Sequence, residues 1–400
     1  MRCRHTYVEP MKCNFTSMQV VAHDATRRCG VKDYAERLAS AMQSESSSVF
    51  GVPLPHRHVS RFNYFRMMRL RRGVARQARM ASKASLVHVQ YADFSWNGVR
   101  AFEDCYEVFT RRCNTPLVVT LHEHPWFRGE HEMDQLRTVS DFIFSCLAGY
   151  WSPPKSLPLE VLSRNRGIHV HHKWQKNMLL VNGVPERKIQ VVPLSIPECK
   201  AAPSQQAAFR KRFGLDGMRI IGITGFVFER KRYDRVVNLL PDLPADVVLC
   251  VLGGANGSAS ERYLEKLMEQ AKTLGVLSRF VVTGYLSEPE MNAGLLETDL
   301  FMAPYGEVTS SASVSQCIGA NGVIIAGNCT TFEEMAENGA GLDIVDPEDR
   351  AKMLSAVMGL LEKGDRYHIL RRKNLNYSNT WSLQAVAGIM QEWYRECLER

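Results

Sequence analysis

Short apolar runs rich in valine and isoleucine alternate along the chain with longer segments of helical period. This alternation is typical of β-α units that build a parallel sheet covered by helices. Strands are predicted at residues 18–22, 86–90, 117–121, 167–170 and 189–193, and again at 220–224, 247–252, 280–283, 300–303, 323–326 and 342–345. The polar, Pro-containing stretch 196–208 separates the two sets and is predicted to be a linker. The pattern therefore predicts an α/β protein with two doubly wound, Rossmann-like domains.

A chain of 400 residues is long enough for two such domains. We expect an N-terminal extension at 1–17, a first domain at 18–198, a second at 209–375 and a C-terminal helix at 376–400 that crosses back to the first domain. The segment 261–274 places Tyr263, Leu267, Met268, Ala271 and Leu274 on one helical face, as expected of a helix that covers a sheet.

Composition narrows the class of protein further. The eleven cysteines are scattered without any C-x-x-C pair, which argues against a disulfide framework or a zinc ribbon. The sequence contains no apolar run long enough to span a bilayer and no signal-peptide pattern, so a cytoplasmic protein is expected.

The net charge of +8 is distributed unevenly. Residues 1–200 hold 29 Lys and Arg against 17 Asp and Glu, and no acid occurs between Glu45 and Asp93. That window holds nine cations from Arg57 to Lys83. An anionic partner is therefore expected to approach the first half.

One candidate phosphate site begins where the strand 220–224 runs into Gly225 and then a cationic cluster that contains Lys231. The carboxyl ends of parallel strands are where ligands of this fold class bind, so Lys231 would project toward a ligand there. The alternative is a solvated basic loop.

A second candidate follows the strand 300–303, where a hydroxyl-rich turn opens a helix at about residue 310. The unpaired amides and the dipole of a helix N-terminus attract anions, and small serine side chains let a phosphate approach closely. An ordinary serine N-cap is the alternative.

The order and spacing of these segments resemble the donor domain of glycosyltransferase family 4, which has the GT-B architecture of two domains facing across a cleft. The resemblance runs from about residue 220 to 349 and rests on the segments 225–234, 248–254, 277–286, 299–305, 316–326 and 332–341. It implies a retaining enzyme that transfers a hexose from a nucleoside diphosphate sugar to a glycan or lipid-linked acceptor, without a metal ion or other cofactor.

The resemblance also assigns residues on the donor side. It implies that Lys231 pairs with the diphosphate beside Gly225, and that Glu307 and Gln316 face the sugar and the ribose. The remaining donor-binding residues are expected to be Thr309, Ser310, Ser311 and Ser313 at the diphosphate, and Gly284, Tyr285 and Leu286 at the base.

The chain departs from the family at two places. The second of two glutamates that the family usually carries falls on Gln316, and the first falls on Val308, one residue after Glu307. An arginine common after the strand glycine is replaced by Phe226. Gln316 still hydrogen-bonds hydroxyls, so nucleotide binding is expected to persist. An impaired or non-catalytic sugar-nucleotide binding protein, or a nucleotide-sugar epimerase, remains an alternative.

On the acceptor side, Gly30 lies where the family has a glycine loop that touches donor and acceptor, with Cys29 in place of a second glycine. His122 ends a buried strand in the position of a family histidine that contacts the transferred sugar and would orient a hydroxyl. It could instead satisfy loop backbone. His122, Glu123, His124 and His131 superficially suggest a metal site, but their spacing is not that of a helical metal motif.

The basic window 56–80 interleaves arginines with aromatic and apolar residues. Three interpretations stay open, namely a helix on an anionic membrane surface, a grip on a soluble anionic acceptor, or a solvated face. The first would place the protein at the inner face of the membrane. No nucleic-acid-binding module accompanies the charge, so nucleic acid is not expected as a partner.

Overall fold

A computed structural model of the chain describes residues 15–23, 29–42, 48–53, 64–92, 96, 105–123 and 159–400. The chain divides into two compact units. Of the described residues, unit 1 contains those up to His171, Gln175–Val192 and Ala387–Arg400, and unit 2 contains His172–Trp174 and Pro193–Val386.

Unit 1 is built on a six-stranded parallel sheet with the order β2-β1-β3-β4-β5-β6. Its strands are β1 (Ser17–His23), β2 (Ser48–Pro53), β3 (Leu86–Tyr91), β4 (Leu117–Leu121), β5 (Gly167–Val170) and β6 (Ile189–Val191). Five of these match predicted strands within a few residues, and β2 was not predicted. β2 pairs only with β1, and such an edge position tolerates its Gly51 and Pro53.

The two faces of the unit 1 sheet differ in chemistry. Val87 and Val89 of β3 pack into an apolar core with alternate residues of β1, β4 and β5. The opposite face of the same strand carries His88 and Gln90, which are fully buried. Because side chains alternate along a strand, one face of this sheet is a conventional core and the other holds a buried polar row.

Unit 2 is built on a second six-stranded parallel sheet with the order β12-β11-β10-β7-β8-β9. Its strands are β7 (Arg219–Thr224), β8 (Val247–Leu252), β9 (Phe280–Val282), β10 (Leu300–Ala303), β11 (Ile324–Gly327) and β12 (Leu342–Val345). The chain enters at β7, builds outward to β9 on one side and then returns to place β10 on the other. β7 and β10 are therefore adjacent strands whose following loops lead to opposite sides, which is the switch point of a doubly wound sheet.

Both faces of the unit 2 sheet are apolar. Ile221 and Ile223 of β7 pack into one core, and Ile220 packs into the other. The same alternation in β8 sends Leu249 to the first core and Cys250 to the second. This is the burial expected of a parallel sheet covered by helices on both faces.

Helices cover the strands of both units. Up to residue 181 they are α1 (Gly30–Ala41), α2 (Tyr64–Ala81), α3 (Cys105–Arg112), α4 (Leu159–Ser163) and α5 (Lys173–Val181). Beyond it they are α6 (Pro203–Phe213), α7 (Tyr233–Val237), α8 (Ser258–Thr273), α9 (Glu288–Glu297), α10 (Ala312–Gly319), α11 (Thr330–Glu337), α12 (Arg350–Leu361), α13 (Asp365–Thr380) and α14 (Leu383–Glu399).

Three local predictions differ from the structure. Part of the stretch predicted as a linker forms α6, whose Phe209 is buried in a core of unit 2. On α8 the buried face is narrower than predicted, because Leu267 and Ala271 are buried whereas Met268 and Leu274 are exposed. The C-terminal segment is not one helix, since Trp381 separates α13 from α14.

Candidate functional site

The switch point of unit 2 brings the two candidate phosphate segments together. Thr224 ends β7, and the loop after it carries Gly225 and Lys231. Ala303 ends β10, and the loop after it leads into α10 at Ala312. Because β7 and β10 are paired, both loops lie at the same sheet edge. The structure thus joins segments that lie far apart in the sequence.

Glycine turns at this edge let backbone approach backbone. Gly225 has φ +87°, and a Cβ atom there would lie 2.8 Å from Ser313 Oγ and 2.9 Å from Lys231 Nζ. Gly253 has φ +145°, and its Cβ would collide with the Gly225 carbonyl oxygen. Side chains other than glycine are strained at such φ values. Both turns therefore require glycine, and Gly225 packs directly against Ser313 and Lys231.

Lys231 lies at the centre of this edge. It ends a single 3-10 turn, Glu229–Lys231, and its side chain is only 6% exposed. Its Nζ donates to the Thr224 carbonyl oxygen at 2.6 Å and to Ser313 Oγ at 3.2 Å, and lies 5.6 Å from the centre of the Tyr305 ring. The ammonium is held by neutral groups, and within the described residues no carboxylate pairs with it. An arriving anion would be its first counter-charge.

Burial has a direct electrostatic effect on this lysine. Desolvation, followed by the nearby charge of Arg230, lowers the pKa of Lys231 to about 7. Without a ligand the side chain is therefore close to half-protonated at neutral pH. Binding of a phosphate would favour the charged form, because an opposite charge at a few ångströms raises the pKa of a lysine.

The start of α10 supplies the second part of the site. Ser311 is the N-cap, and its Oγ accepts from the Val314 amide at 3.2 Å. The first-turn amides of Ala312 and Ser313 have no partner within the helix. Ser313 is the hydroxyl that contacts Lys231, since that of Ser311 caps the helix. Ser311 is thus an ordinary N-cap, and phosphate binding by this turn stays a prediction.

The other predicted donor-side residues lie on α10 and in the loops after β9 and β10. Gln316 is half-buried on α10, and the structure assigns its side chain no hydrogen bond to a described residue. Tyr285 is 58% exposed, whereas the side chain of Leu286 is buried in a core. Leu286 can therefore contact a ligand only through its backbone. Gly284 lies in the loop after β9 and has φ +70°. Thr309 and Ser310 lie in the loop between β10 and α10.

Glu307 and Phe226 are less deeply placed. Glu307 is exposed, and no described residue forms an ion pair with it. Phe226 is half-buried and lies 6.1 Å from Phe228, ring centre to ring centre. The position where the family has an arginine thus belongs to an aromatic pair.

In unit 1, His122 follows β4 and is 8% exposed. Its Nε2 lies 2.7 Å from Gln90 Oε1, and its Nδ1 lies 3.3 Å from His171 Nε2. Desolvation and the nearby His169 lower the pKa of His122 to about 3. The imidazole is therefore neutral at ordinary pH, and both ring nitrogens already have neighbours. The structure supports a positioning role better than proton transfer by this ring.

Tyr34 of α1 lies edge-on to the two histidines, with its ring 5.3 Å from His122 and 5.9 Å from His171. Its hydroxyl is buried and has no hydrogen-bond partner among the described residues, and burial raises its pKa. An unpaired buried hydroxyl is unfavourable. The sequence pattern had not singled out this residue.

Gly30 is the first residue of α1 and is exposed. A Cβ atom added there would meet no atom of a described residue within 4 Å, so packing in this part of the chain does not require glycine at this position. Cys29 is the N-cap residue and makes no side-chain capping bond. The predicted contact of Gly30 with donor and acceptor stays a prediction.

A buried polar row behind the unit 1 sheet was also missed. His169 Nε2 donates to the Val192 carbonyl oxygen at 2.9 Å, and its Nδ1 lies 2.7 Å from Thr120 Oγ1. Thr120 Oγ1 lies 2.6 Å from His88 Nε2, and His88 Nδ1 contacts the Tyr394 hydroxyl of α14. The Val192 carbonyl oxygen can only accept a hydrogen bond, so it fixes which atom donates in each following hydrogen bond of the row. With these directions, neutral histidines satisfy every hydrogen bond of the row.

Within the described residues, no group of three or more His, Cys, Asp or Glu side chains is arranged to hold a metal ion. His124 and His131 lie outside these residues. None of the described helices combines the length and the apolar character that crossing a bilayer requires.

The described part of the basic window forms α2. Four cations of this helix are exposed at spacings of three and four residues, so they form one stripe about 15 Å long at 1.5 Å per residue. They are Arg69, Arg72, Arg76 and Arg79, and the exposed Lys83 follows in the turn after the helix. None forms an ion pair with a described residue. Arg57, Arg61 and the side chain of Arg66 lie outside the described part.

Comparison with known proteins gives one related sequence. The chain is 30% identical over 129 residues to 2-deoxystreptamine glucosyltransferase of Streptomyces kanamyceticus, which is 30% of this chain and 32% of that protein. The aligned part thus spans about a third of the length of the curated relative that the chain matches. No family model matches the chain.

Solved structures resemble the chain along nearly its whole length. HepE of Anabaena in complex with UDP has a TM-score of 0.69 at 11% identity, covering 95% of this chain and 100% of that one. A glycosyltransferase from Rickettsia africae ESF-5 has 0.69 at 14%, covering 97% and 100%. WaaG, a glycosyltransferase involved in lipopolysaccharide biosynthesis, has 0.61 at 13%, covering 94% and 98%. At these identities the likeness concerns the fold. It confirms the predicted GT-B class of two Rossmann-like domains.

Proposed function

We propose that this protein is a glycosyltransferase that uses a nucleoside diphosphate sugar. The observation that carries the proposal is the buried, counter-charge-free ammonium of Lys231, set against the start of α10 at the switch point of unit 2. A diphosphate leaving group gains negative charge as the glycosidic bond breaks. A fixed ammonium and helix amides therefore stabilise the transition state more than the ground state.

The other donor-side residues would hold the rest of the nucleotide. Tyr285 offers an exposed ring for the base, and Gln316 offers an amide that both donates to and accepts from ribose hydroxyls. UDP-glucose is the first donor to test, since it is present in a HepE structure and the related sequence is a glucosyltransferase. The positive charge of Lys231 and the helix amides supports a reaction that needs no metal.

We further propose that a hexose is transferred with retention, without an enzymatic nucleophile, to a glycan or lipid-linked acceptor. The exposed position of Glu307 is consistent with this, because no buried carboxylate lies at the Lys231 centre among the described residues. His122 would orient a sugar hydroxyl as a neutral ring. A protein that binds sugar nucleotides without turnover is the competing candidate, favoured by Phe226 in place of an arginine.

Thermal shifts with UDP, GDP, ADP, CDP, dTDP and their sugars test the donor site. A ligand at a hundred times its dissociation constant adds about 2.7 kcal/mol to the free energy of unfolding. One diphosphate should raise the melting temperature while its nucleoside should not, because Lys231 and α10 bind the phosphates. If no diphosphate shifts the melting temperature, the donor site is lost and the proposal fails. A shift without turnover over a broad acceptor panel favours the binding protein.

We also propose that the stripe on α2 lies against an anionic membrane surface, which would place the protein at the cytoplasmic face. The four cations carry no described counter-charge, and the opposite side of the helix is packed into the core through Val74, Ala78 and Ala81. Attachment in this part of the chain would therefore be electrostatic, and would weaken with salt.

The triple variant Arg72→Gln, Arg76→Gln, Arg79→Gln tests this surface. Each cation contributes about 1 kcal/mol near an anionic membrane, so sedimentation with phosphatidylglycerol-rich vesicles at low salt should fall on the order of a hundredfold. Arg262→Gln, Lys266→Gln, Lys272→Gln on α8 removes the same net charge from exposed sites elsewhere and should bind like the wild type. Equal loss in both variants would reduce the effect to overall charge, and no loss in the first would refute the membrane proposal.

A further inference from the structure

Four cations lie within ten residues after Gly225, but they have different environments. They are Arg230, Lys231, Arg232 and Arg235. Arg235 contacts Glu348 at 2.6 Å, and Arg232 pairs with the same carboxylate. Lys231 is buried in the site described above. Arg230 is exposed and forms no ion pair with a described residue. It is thus the cation of this cluster whose charge is neither neutralised nor enclosed.

The Arg230 side chain nevertheless packs against a neighbouring ring. Its guanidinium carbon lies over the Phe228 ring, 5.7 Å from the ring centre. Phe228 in turn contacts Phe226. A guanidinium stacked on an aromatic face keeps its donors available around its edge while its plane is fixed. The aromatic pair therefore serves as a platform for the arginine.

The charge of Arg230 also reaches the floor of the site. It contributes to the lowered pKa of Lys231 and opposes the rise in the pKa of Tyr305. Lys231 Nζ and the Tyr305 ring are 5.6 Å apart, and both line the edge that leads into α10. The guanidinium of Arg230 is therefore close enough to this edge to act on both groups electrostatically.

We propose that Arg230 is a second diphosphate-binding cation, held over Phe228, and that it takes the part of the arginine that Phe226 replaces. This inference rests on the proposed function, since it assigns a further residue to the same donor site. Lys231 would contact one phosphate as a point charge from below. Arg230 would contact the diphosphate with two parallel N–H donors, a geometry that lysine does not offer.

The test measures binding of UDP by isothermal titration calorimetry, with the diphosphate chosen by the thermal-shift panel used instead if it has another base. Arg230→Gln should weaken binding roughly tenfold to a hundredfold, as expected for a lost charge-assisted contact. Arg230→Lys should retain part of the affinity, and Phe228→Leu should lose part of it. Arg235→Gln is the matched control, because it removes a cation from the same cluster that Glu348 already neutralises, and should stay within about twofold.

A second measurement tests the electrostatic coupling between Arg230 and Lys231. Because Arg230 lowers the pKa of Lys231, Arg230→Gln should shift the pH above which UDP affinity falls to a higher value. Wild-type-like affinity in Arg230→Gln, together with lost affinity in Lys231→Ala, would overturn this inference and leave the donor site intact. Absence of diphosphate binding by the wild-type protein would overturn the proposed function itself.

Discussion

Replacing Lys231 by methionine should abolish most of the affinity for nucleoside diphosphates and at the same time stabilise the ligand-free protein. The affinity should fall by about 1.5 to 3 kcal/mol, the contribution of a hydrogen bond to a charged group. The stability should rise because methionine fills the same volume without a buried ammonium that is only 6% exposed. The two effects have opposite signs because the buried ammonium stabilises the bound diphosphate but destabilises the ligand-free protein.

The pH dependence of both effects follows from the pKa of Lys231, about 7. Binding requires the ammonium, so wild-type affinity should decline as the pH rises above 7, whereas the methionine variant lacks this decline. In the unfolded chain the lysine keeps its ordinary pKa of about 10.4. The unfolded state therefore binds more protons between pH 7 and 10, and wild-type stability falls by about 1.4 kcal/mol per unit as the pH drops through this range.

The stability advantage of Lys231→Met should therefore grow from pH 10 toward pH 7 and then level off. Calorimetric titrations with the selected diphosphate and melting temperatures across this pH range measure the two effects. Lys211→Met removes an exposed lysine of α6 and should change neither. A variant that binds the diphosphate normally, or an advantage that is independent of pH, would contradict the assignment of Lys231.

Most strands could be predicted because they are buried, mainly apolar runs between turn signals. The edge strand β2 could not, since Gly51 and Pro53 are signals against a strand except at an edge. Which strand forms the edge is decided by pairing across the whole sheet, and that information is not local. The same limit explains why part of the predicted linker is a helix, since α6 is fixed by the burial of Phe209 in a core of unit 2.

The donor site could be located from the order of its segments, but its electrostatics could not. Lys231 was identified from the turn after β7, whereas its burial depends on Ser313, 82 residues away, and on Tyr305. Arg230 and Arg232 are two residues apart in the sequence, but Glu348 neutralises only the charge of Arg232. Partners from distant segments decide which cations of a basic loop remain available.

The buried polar row of unit 1 shows the same limit more strongly. His88 and Gln90 alternate with valines in a strand that reads as buried, and nothing nearby explains how their polar atoms are satisfied. The answer lies in α14, where the Tyr394 hydroxyl accepts from Gln19, 375 residues earlier, and contacts His88. The row ties the C-terminal helix to the first sheet of the chain.

Three buried histidines should make unit 1 sensitive to acid, namely His88 and His169 of this row and the neighbouring His122. Burial and neighbouring histidines lower the pKa of His88 far below its usual range, that of His122 to about 3 and, through burial, that of His169 to about 4. In the unfolded chain each histidine has a pKa of about 6.5. As the pH falls below 6.5, the unfolded state takes up protons that the folded state excludes, so stability present above this pH is lost progressively toward pH 4.

The loss should be large, because each excluded proton contributes about 1.4 kcal/mol per pH unit and three histidines act together. Several kcal/mol between pH 6.5 and 4.5 is comparable with the whole stability of a domain. Urea unfolding of the full chain at steps of pH measures it. His169→Gln keeps a donor for Val192 and an acceptor for Thr120 but cannot titrate, so its free energy of unfolding should fall less steeply with pH by about a third. His368→Gln, at an exposed site on α13, should leave the slope unchanged. Equal slopes in wild type and His169→Gln would mean that the row admits protons without unfolding, and that its histidines are not held neutral by burial.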